Sequence, residues 1–359
     1  MIRASVQSLA PYVPGEQPKL KRLVKLNANE NAYPPSPKVQ EALRSFDAAA
    51  LRRYPDSESA RLRHFLARRY GCKMENVFVG NGSDEALRLA VHVFVRNAAH
   101  VGVFDPTYSL YQVLADIREA PLDRFPLPED DAALARFRLP DPAPDLFCLV
   151  NPNAPTGTIF GIDAVRDFAR AIAPATLLVD ETYVLFAGRD CLSLALEEPN
   201  VVVSRSFSKA WSLAGLRVGV LVGSEENIGA IYKVKDSYNV DAVAQRVALA
   251  ALRDRAYHRK TVAMVVRTRK AFSKELERRG WDVLPSESNF VFAKPPAPAK
   301  AKDVFAYLKS RNIFVRYFPG PLTGDRLRIT IGTDAQMSTL LGAIDRGATP
   351  ARKTKRTTR

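Results

Sequence analysis

Residues 206–217, SFSKAWSLAGLR, set one lysine, Lys209, between two hydroxyls and an arginine. The stretch follows the apolar run 201–203, so it reads as the loop at the end of a buried strand. A lysine held there can condense with an aldehyde, while Ser206, Ser208 and Arg217 offer hydrogen bonds and one fixed positive charge to a dianion. A single small molecule that carries both an aldehyde and a phosphate, such as pyridoxal phosphate, meets both requirements. Taken alone, the segment is equally a solvated lysine beside helix-capping serines.

Four other loops bear on the choice. Short apolar runs begin at 77 (VFV), 101 (VGVF), 146 (LFCLV), 177 (LLV) and 201 (VVV), and longer helical patterns separate them, as a parallel α/β sheet requires. The runs lead into GNGSDEALRLA, DPTYSLY, NPNAPTG, DETYVLF and SFSK. Ligands of open parallel sheets bind outside the carboxyl ends of the strands, so these polar loops converge on one cleft. In GNGSDE, Ser83 is placed to cap a helix, and the N–H groups behind Gly82 would receive a phosphate at its positive end. The third glycine position of a dinucleotide fingerprint falls on Glu85, so a single phosphate fits better than NAD. Asp180 ends a wholly apolar strand and needs a partner, either a pyridinium nitrogen or an arginine. Tyr183 could hydrogen-bond a ring's phenolic oxygen. Tyr108 could stack on a flat ring or belong to core or rim.

Beyond about residue 240 the pattern changes to a long helical region, 242–279, followed by a strand–helix–strand–strand–helix order that reads as a smaller α+β lobe. Arg316 and Arg328 fall on its neighbouring strands, where they would clamp an anionic substrate or form an ordinary surface pair. Residues 1–35 read as an arm, 36–51 with 256–349 as the small domain, 52–255 as the large domain, and 350–359 as a disordered basic tail.

The 359 residues carry a net charge of +15, five of the charges within the last eight residues, and the remaining excess lies on the outer faces of helical patterns. That distribution describes solvated faces rather than a nucleic-acid stripe, so no nucleic-acid partner is expected. Three scattered cysteines and four dispersed histidines give no metal-ligand spacing and fit a reducing compartment. No apolar run approaches a membrane span and the N-terminus has no signal-peptide core, so a cytoplasmic location and no membrane partner are expected.

With these residues assembled, the chain resembles the pyridoxal-phosphate aminotransferases of the aspartate-aminotransferase-like fold, and within them looks most like the histidinol-phosphate aminotransferases. The likeness runs from about Leu9 to Ile344 and rests on an ordered set: LAPYVPGE, LNANE, RYP, GSDE, PTYSLY, PTG, DETY, SFSKAWSLAGLRVG, NFVF, VRYF and LRITIGT. It implies a large α/β domain with a mostly parallel seven-stranded sheet covered by helices, a smaller α+β domain and an N-terminal arm. It further implies that Lys209 joins the cofactor aldehyde, Asp180 pairs with the ring nitrogen, Tyr183 touches the phenolic oxygen and Tyr108 stacks on the ring. Ser206, Ser208, Arg217 and the backbone at Gly82, Ser83 and Asp84 would hold the cofactor phosphate, with Tyr54 reaching it from the partner subunit of a homodimer. Tyr12, Arg316 and Arg328 would bind the substrate phosphate. The implied reaction is transamination between histidinol phosphate and 2-oxoglutarate; the rivals are an aromatic amino-acid transaminase and a decarboxylase of an amino-acid phosphate. The chain departs from the family at Ala154, where an asparagine usually contacts the ring oxygen. Asn153 or Asn151 would then take that role, or Tyr183 would act alone. Trp211 is bulkier than the family pattern leads one to expect.

Overall fold

The computed structural model describes residues 2, 4–7, 9, 16–18 and 23–348. Tyr12 and the basic tail 350–359 therefore lie outside the described residues.

Strands β1 to β13 span, in chain order, Val24–Lys25, Val77–Gly80, Val101–Asp105, Leu122–Pro126, Leu146–Val150, Thr176–Asp180, Val201–Ser206, Gly219–Val222, Asp282–Val283, Phe290–Lys294, Ile313–Phe314, Arg316–Tyr317 and Leu327–Thr330. Seven of them form one sheet in the order β2-β8-β7-β6-β5-β3-β4. Only β8 runs against its neighbours, pairing antiparallel with β2 and β7. The expected mostly parallel seven-stranded sheet is thus the one observed. Every residue of β5 and β7 is buried; helices cover both faces, so β5 and the first half of β7, Val201 to Val203, are continuously apolar, while Ser204, Arg205 and Ser206 carry polar groups into the strand's carboxyl end. Burying each such valine or leucine stabilises by about 1.5–3 kcal/mol.

A second sheet, β12-β13-β10-β9, belongs to the smaller lobe, and β1 pairs in parallel with β11 beside it. The strand expected to carry Arg316 is preceded by a separate one: Ile313–Phe314 pairs with β1, whereas Arg316–Tyr317 turns to pair with β13. Pairing with β1 also ties the described end of the arm to its own lobe, where Leu26 joins a core with Val291, Ile329 and Leu340. The helical region 242–279 is two helices, Ala242–Leu252 and Arg255–Arg278. Asp254 breaks them apart, since its side chain caps the second by accepting from the Tyr257 amide.

Helix Pro37–Arg44, expected in the small domain, packs elsewhere. Val39 is in the core of the large sheet, and Arg246 donates to the carbonyls of Ala42 and Ser45. Its apolar face is matched by the helix Ala242–Leu252, so burial places it on the large lobe. Among the described residues, no helix is long and apolar enough to cross a membrane.

Candidate active site

The carboxyl ends of β3, β5, β6 and β7 open into a cavity of about 960 Å³, whose wall includes Ser83, Asp84, Tyr108, Asp180, Tyr183, Ser206, Ser208, Lys209, Arg217, Arg316 and Arg328. Residues from both lobes and from the stretch after β1 therefore face one space. A second cavity of about 570 Å³, under helix Pro37–Arg44, contains none of the expected site residues.

Lys209 follows β7. Its Nζ donates to the Ala28 carbonyl at 3.1 Å, and its own carbonyl accepts from Asn31 Nδ2 at 3.1 Å. Burial lowers its pKa to about 8, helped by the positive charges of Arg328 and Arg217 and opposed by Glu30 and Asp84. An amine so lowered is neutral at a far lower pH than an ordinary lysine, and facing a cavity it can then act as nucleophile and base.

Asp180, the last residue of β6, is buried with four neutral donors around it. Its Oδ1 accepts from the Thr182 amide (3.0 Å), the Thr182 hydroxyl (2.7 Å) and the Ser204 hydroxyl (3.4 Å). Its Oδ2 accepts from Tyr111 at 3.1 Å. Burial raises its pKa, and those hydrogen bonds only partly oppose the shift. No arginine is among these partners, so the arginine alternative raised by the sequence is not what the strand end provides. A carboxylate held by neutral donors at a cavity wall suits a cationic ring nitrogen.

One wall of the cavity is built around the turn at Gly82. Its φ of +84° is reached easily only without a side chain, and a Cβ there would lie 2.5 Å from Arg217 Nη2. Ser83 begins the helix Ser83–Phe94, leaving its first N–H groups without partners inside the helix. Arg217 donates to Ser208 Oγ at 3.3 Å and pairs with Asp84 at 3.1 Å. Ser206 Oγ accepts from the Ser208 amide at 3.1 Å. Three hydroxyls, one guanidinium and a helix N-terminus form a cradle for a dianion.

Opposite, Arg316 and Arg328 are directly paired across β12 and β13. Their guanidinium carbons lie 5.2 and 5.1 Å from the Phe318 ring centroid, so one aromatic ring braces both. Arg328 also sits 5.4 Å from the Phe290 centroid and donates to the Asn27 carbonyl at 3.2 Å.

Asn153 and Asn151 are not on the wall. The Asn153 carboxamide donates to the Pro106 carbonyl and to Thr156 Oγ1, both at 3.0 Å, and Asn151 binds both backbone groups of Phe160. Each amide is consumed in folding its own loop, which leaves Ala154 facing the cavity. The amide that does reach Tyr183 is Asn29, whose Nδ2 donates to the hydroxyl at 2.9 Å. Asn29 Oδ1 in turn accepts from Thr330 at 3.1 Å, two residues along the strand from Arg328. Nothing in LNANE or PTYSLY singles out Asn29 or Tyr111 by residue type, yet the fold brings them to Tyr183 and Asp180. Tyr54 is 80% exposed and stacks on Tyr238 with centroids 4.4 Å apart, away from the cavity wall.

The family model for class I and II aminotransferases matches residues 21–344. The chain is 42% identical over 345 residues to a histidinol-phosphate aminotransferase of Geotalea uraniireducens, covering 96% of this chain and 98% of that one. It is 39% identical over 354 residues to one from Syntrophus aciditrophicus, again covering 96% and 98%. A crystal structure of histidinol-phosphate aminotransferase from Sinorhizobium meliloti in complex with pyridoxal-5'-phosphate superposes with a TM-score of 0.86 at 28% identity, covering 96% of each chain. A cavity with one lysine, a buried carboxylate and an anion cradle, on this fold and with these relatives, has one reading: the chain belongs to the class I and II aminotransferases.

Proposed function

We propose that the protein transaminates histidinol phosphate with 2-oxoglutarate, giving imidazole acetol phosphate and glutamate, with pyridoxal 5'-phosphate held at Lys209. The observation that carries this reading is the Arg316–Arg328 pair, opposed across two strands and sharing a cavity with Lys209 and Asp180. Two guanidiniums supply the forked donors that a phosphate takes up. The proposed homodimer, working in the cytoplasm, has Tyr54 of one subunit completing the other's phosphate cradle, in keeping with an exposed ring that its own cavity does not use.

Bound there, the cofactor supplies an electron-accepting ring for the pair of electrons left when the substrate Cα loses its proton. The chain does the rest. Asp180 stays ionised once a cation faces it, and so keeps the ring nitrogen protonated. Gly82, Ser83, Asp84, Ser206, Ser208 and Arg217 fix the phosphate, and Tyr108 and Tyr183 orient the ring. Lys209 Nζ, released when the substrate amine takes its place, takes the proton from Cα and returns it on the cofactor side. Arg316 and Arg328, with Tyr12, hold the far end of the substrate so that Cα stays within reach of Nζ.

Substrate choice is tested by comparing kcat/KM for histidinol phosphate, histidinol and phenylalanine. Each charge-assisted hydrogen bond to the phosphate contributes about 1.5–3 kcal/mol, so losing the phosphate is expected to reduce kcat/KM by roughly a hundredfold or more. Phenylalanine matching histidinol phosphate would favour the aromatic transaminase, and carbon dioxide release without glutamate would favour the decarboxylase.

The pKa of Lys209 makes a second expectation. Nζ is protonated and unreactive below about pH 8 and neutral above it. The rate at which the cofactor-free protein takes up pyridoxal phosphate should therefore rise with pH and level off above about 8; a rate still climbing toward 10.5, the ordinary lysine value, would show the amine is not perturbed. A third concerns Gly82. Gly82→Ala drives a methyl into Arg217, and the displaced guanidinium should weaken cofactor binding by about tenfold, or ~1.4 kcal/mol, measured by titrating the cofactor-free variant.

A further inference from the structure

Trp211 stands two positions after Lys209, and neither the phosphate cradle nor the arginine clamp accounts for it. Its indole is buried and stacked on the His258 imidazole, with ring centroids 3.7 Å and planes 25° apart. Phe207 lies against it at 5.8 Å and 26°, and the Arg69 guanidinium sits 5.3 Å from its centroid. Phe207 and Trp211 thus bracket the catalytic lysine in sequence and touch each other in space.

The two residues after Lys209 enter different cores. Ala210 packs in the small-lobe cluster with Phe186 and Val265, whereas Trp211 packs in the cluster of the large sheet. Ser212 follows at φ +60°, a left-handed conformation that a serine keeps only where its surroundings impose it. The loop is therefore stretched across the seam between lobes and held from both sides.

His258 lies in the first turn of the helix Arg255–Arg278, while Val265, Phe272 and Leu276 farther along it belong to the small-lobe core. At 24 residues the helix is about 36 Å long, so it reaches from the lysine loop into the lobe that carries Arg316 and Arg328. Burial, then Arg69 and Arg259, lower the His258 pKa to about 4. Its Nε2 is buried with no hydrogen-bond partner among the described residues. At neutral pH this ring offers a flat uncharged face.

We propose that Trp211 is a positioning residue: through its stack on His258 it ties the Lys209 loop to the helix Arg255–Arg278, so that the aim of Lys209 Nζ depends on where the arginine-bearing lobe stands. The inference rests on the reading of Lys209 as the amine joined to the cofactor.

The test uses cofactor-loaded Trp211→Leu and His258→Phe. Loss of the stack should misplace Nζ, and small displacements of a reacting group are costly, so kcat for Trp211→Leu is expected to fall by about tenfold or more. KM for histidinol phosphate should stay within about twofold, since the arginine clamp is intact. The pH midpoint of the cofactor's visible absorbance should shift by about half a unit or more, because the Nζ environment has changed. His258→Phe keeps a flat apolar ring and should track the wild type in both readouts. A Trp211→Leu protein that melts at lower temperature but keeps the wild-type kcat and midpoint overturns the inference. Should that variant not fold, His258→Ala removes the stack from the other side and must show the same two changes; wild-type values there overturn it equally. A wild type without any titrating visible absorbance would defeat the reading of Lys209 as well, whereas normal wild-type behaviour with unaltered variants defeats this inference alone.

Discussion

Lys209→Ala is expected to lower turnover by roughly 10²–10⁴-fold, the scale of a lost general base, and to remove the visible absorbance that depends on a covalent link at Nζ. Two functions should end together, because the proposed mechanism gives both to one atom. The substitution leaves the phosphate cradle of Ser206, Ser208, Arg217 and the Gly82 turn untouched. The variant should therefore still bind pyridoxal phosphate, without covalent attachment. Equilibrium dialysis read beside steady-state turnover checks both halves. A variant that turned over at the wild-type rate would contradict the assignment of Lys209, and one that no longer bound the cofactor at all would contradict the separate role given to the cradle.

Asp180→Asn is the next largest effect. The buried carboxylate is surrounded by Thr182, Ser204 and Tyr111, which a carboxamide of the same shape meets only in part, because its Nδ2 cannot accept from the Tyr111 hydroxyl. More important, the carboxamide cannot balance a protonated ring nitrogen. Removing one partner of a buried ion pair costs about 3–5 kcal/mol, which corresponds to roughly 200- to 5,000-fold in kcat if that pair is needed in the transition state. The pair is a property of the loaded enzyme, so thermal stability of the cofactor-free protein should fall much less than activity does; burial already raises the Asp180 pKa there, and an uncharged group suits the empty site. Comparable losses in both would mark Asp180 as a structural residue.

The main sheet was legible wherever a strand is buried on both faces. The runs at 77, 101, 146, 177 and 201 became β2, β3, β5, β6 and β7. The strands that did not stand out are Leu122–Pro126, an edge strand with charged and exposed positions, and Gly219–Val222, which follows the lysine loop too closely to look separate. For helix Pro37–Arg44, periodicity reveals an apolar face but not the surface that covers it, which is where Val39 enters the core of the large sheet. Site residues on strand ends were readable from their types, since a lysine and an aspartate closing apolar runs need partners. Asn29 was not, as its bond to Tyr183 joins segments 154 residues apart. The bonds of Asn153 were not readable either: the PNAPTG loop turns its amide onto the Pro106 carbonyl and Thr156 Oγ1. Trp211 gained an explanation only once His258 was seen against it.

The most direct measurement is an absorbance spectrum of the purified protein loaded with pyridoxal phosphate, recorded before and after histidinol phosphate and again after 2-oxoglutarate. The account predicts a visible band that histidinol phosphate bleaches and 2-oxoglutarate restores, and no such band in Lys209→Ala. A visible band that histidinol phosphate leaves unchanged, while another amino donor bleaches it, would contradict the proposed substrate; no band at all would contradict the role of Lys209.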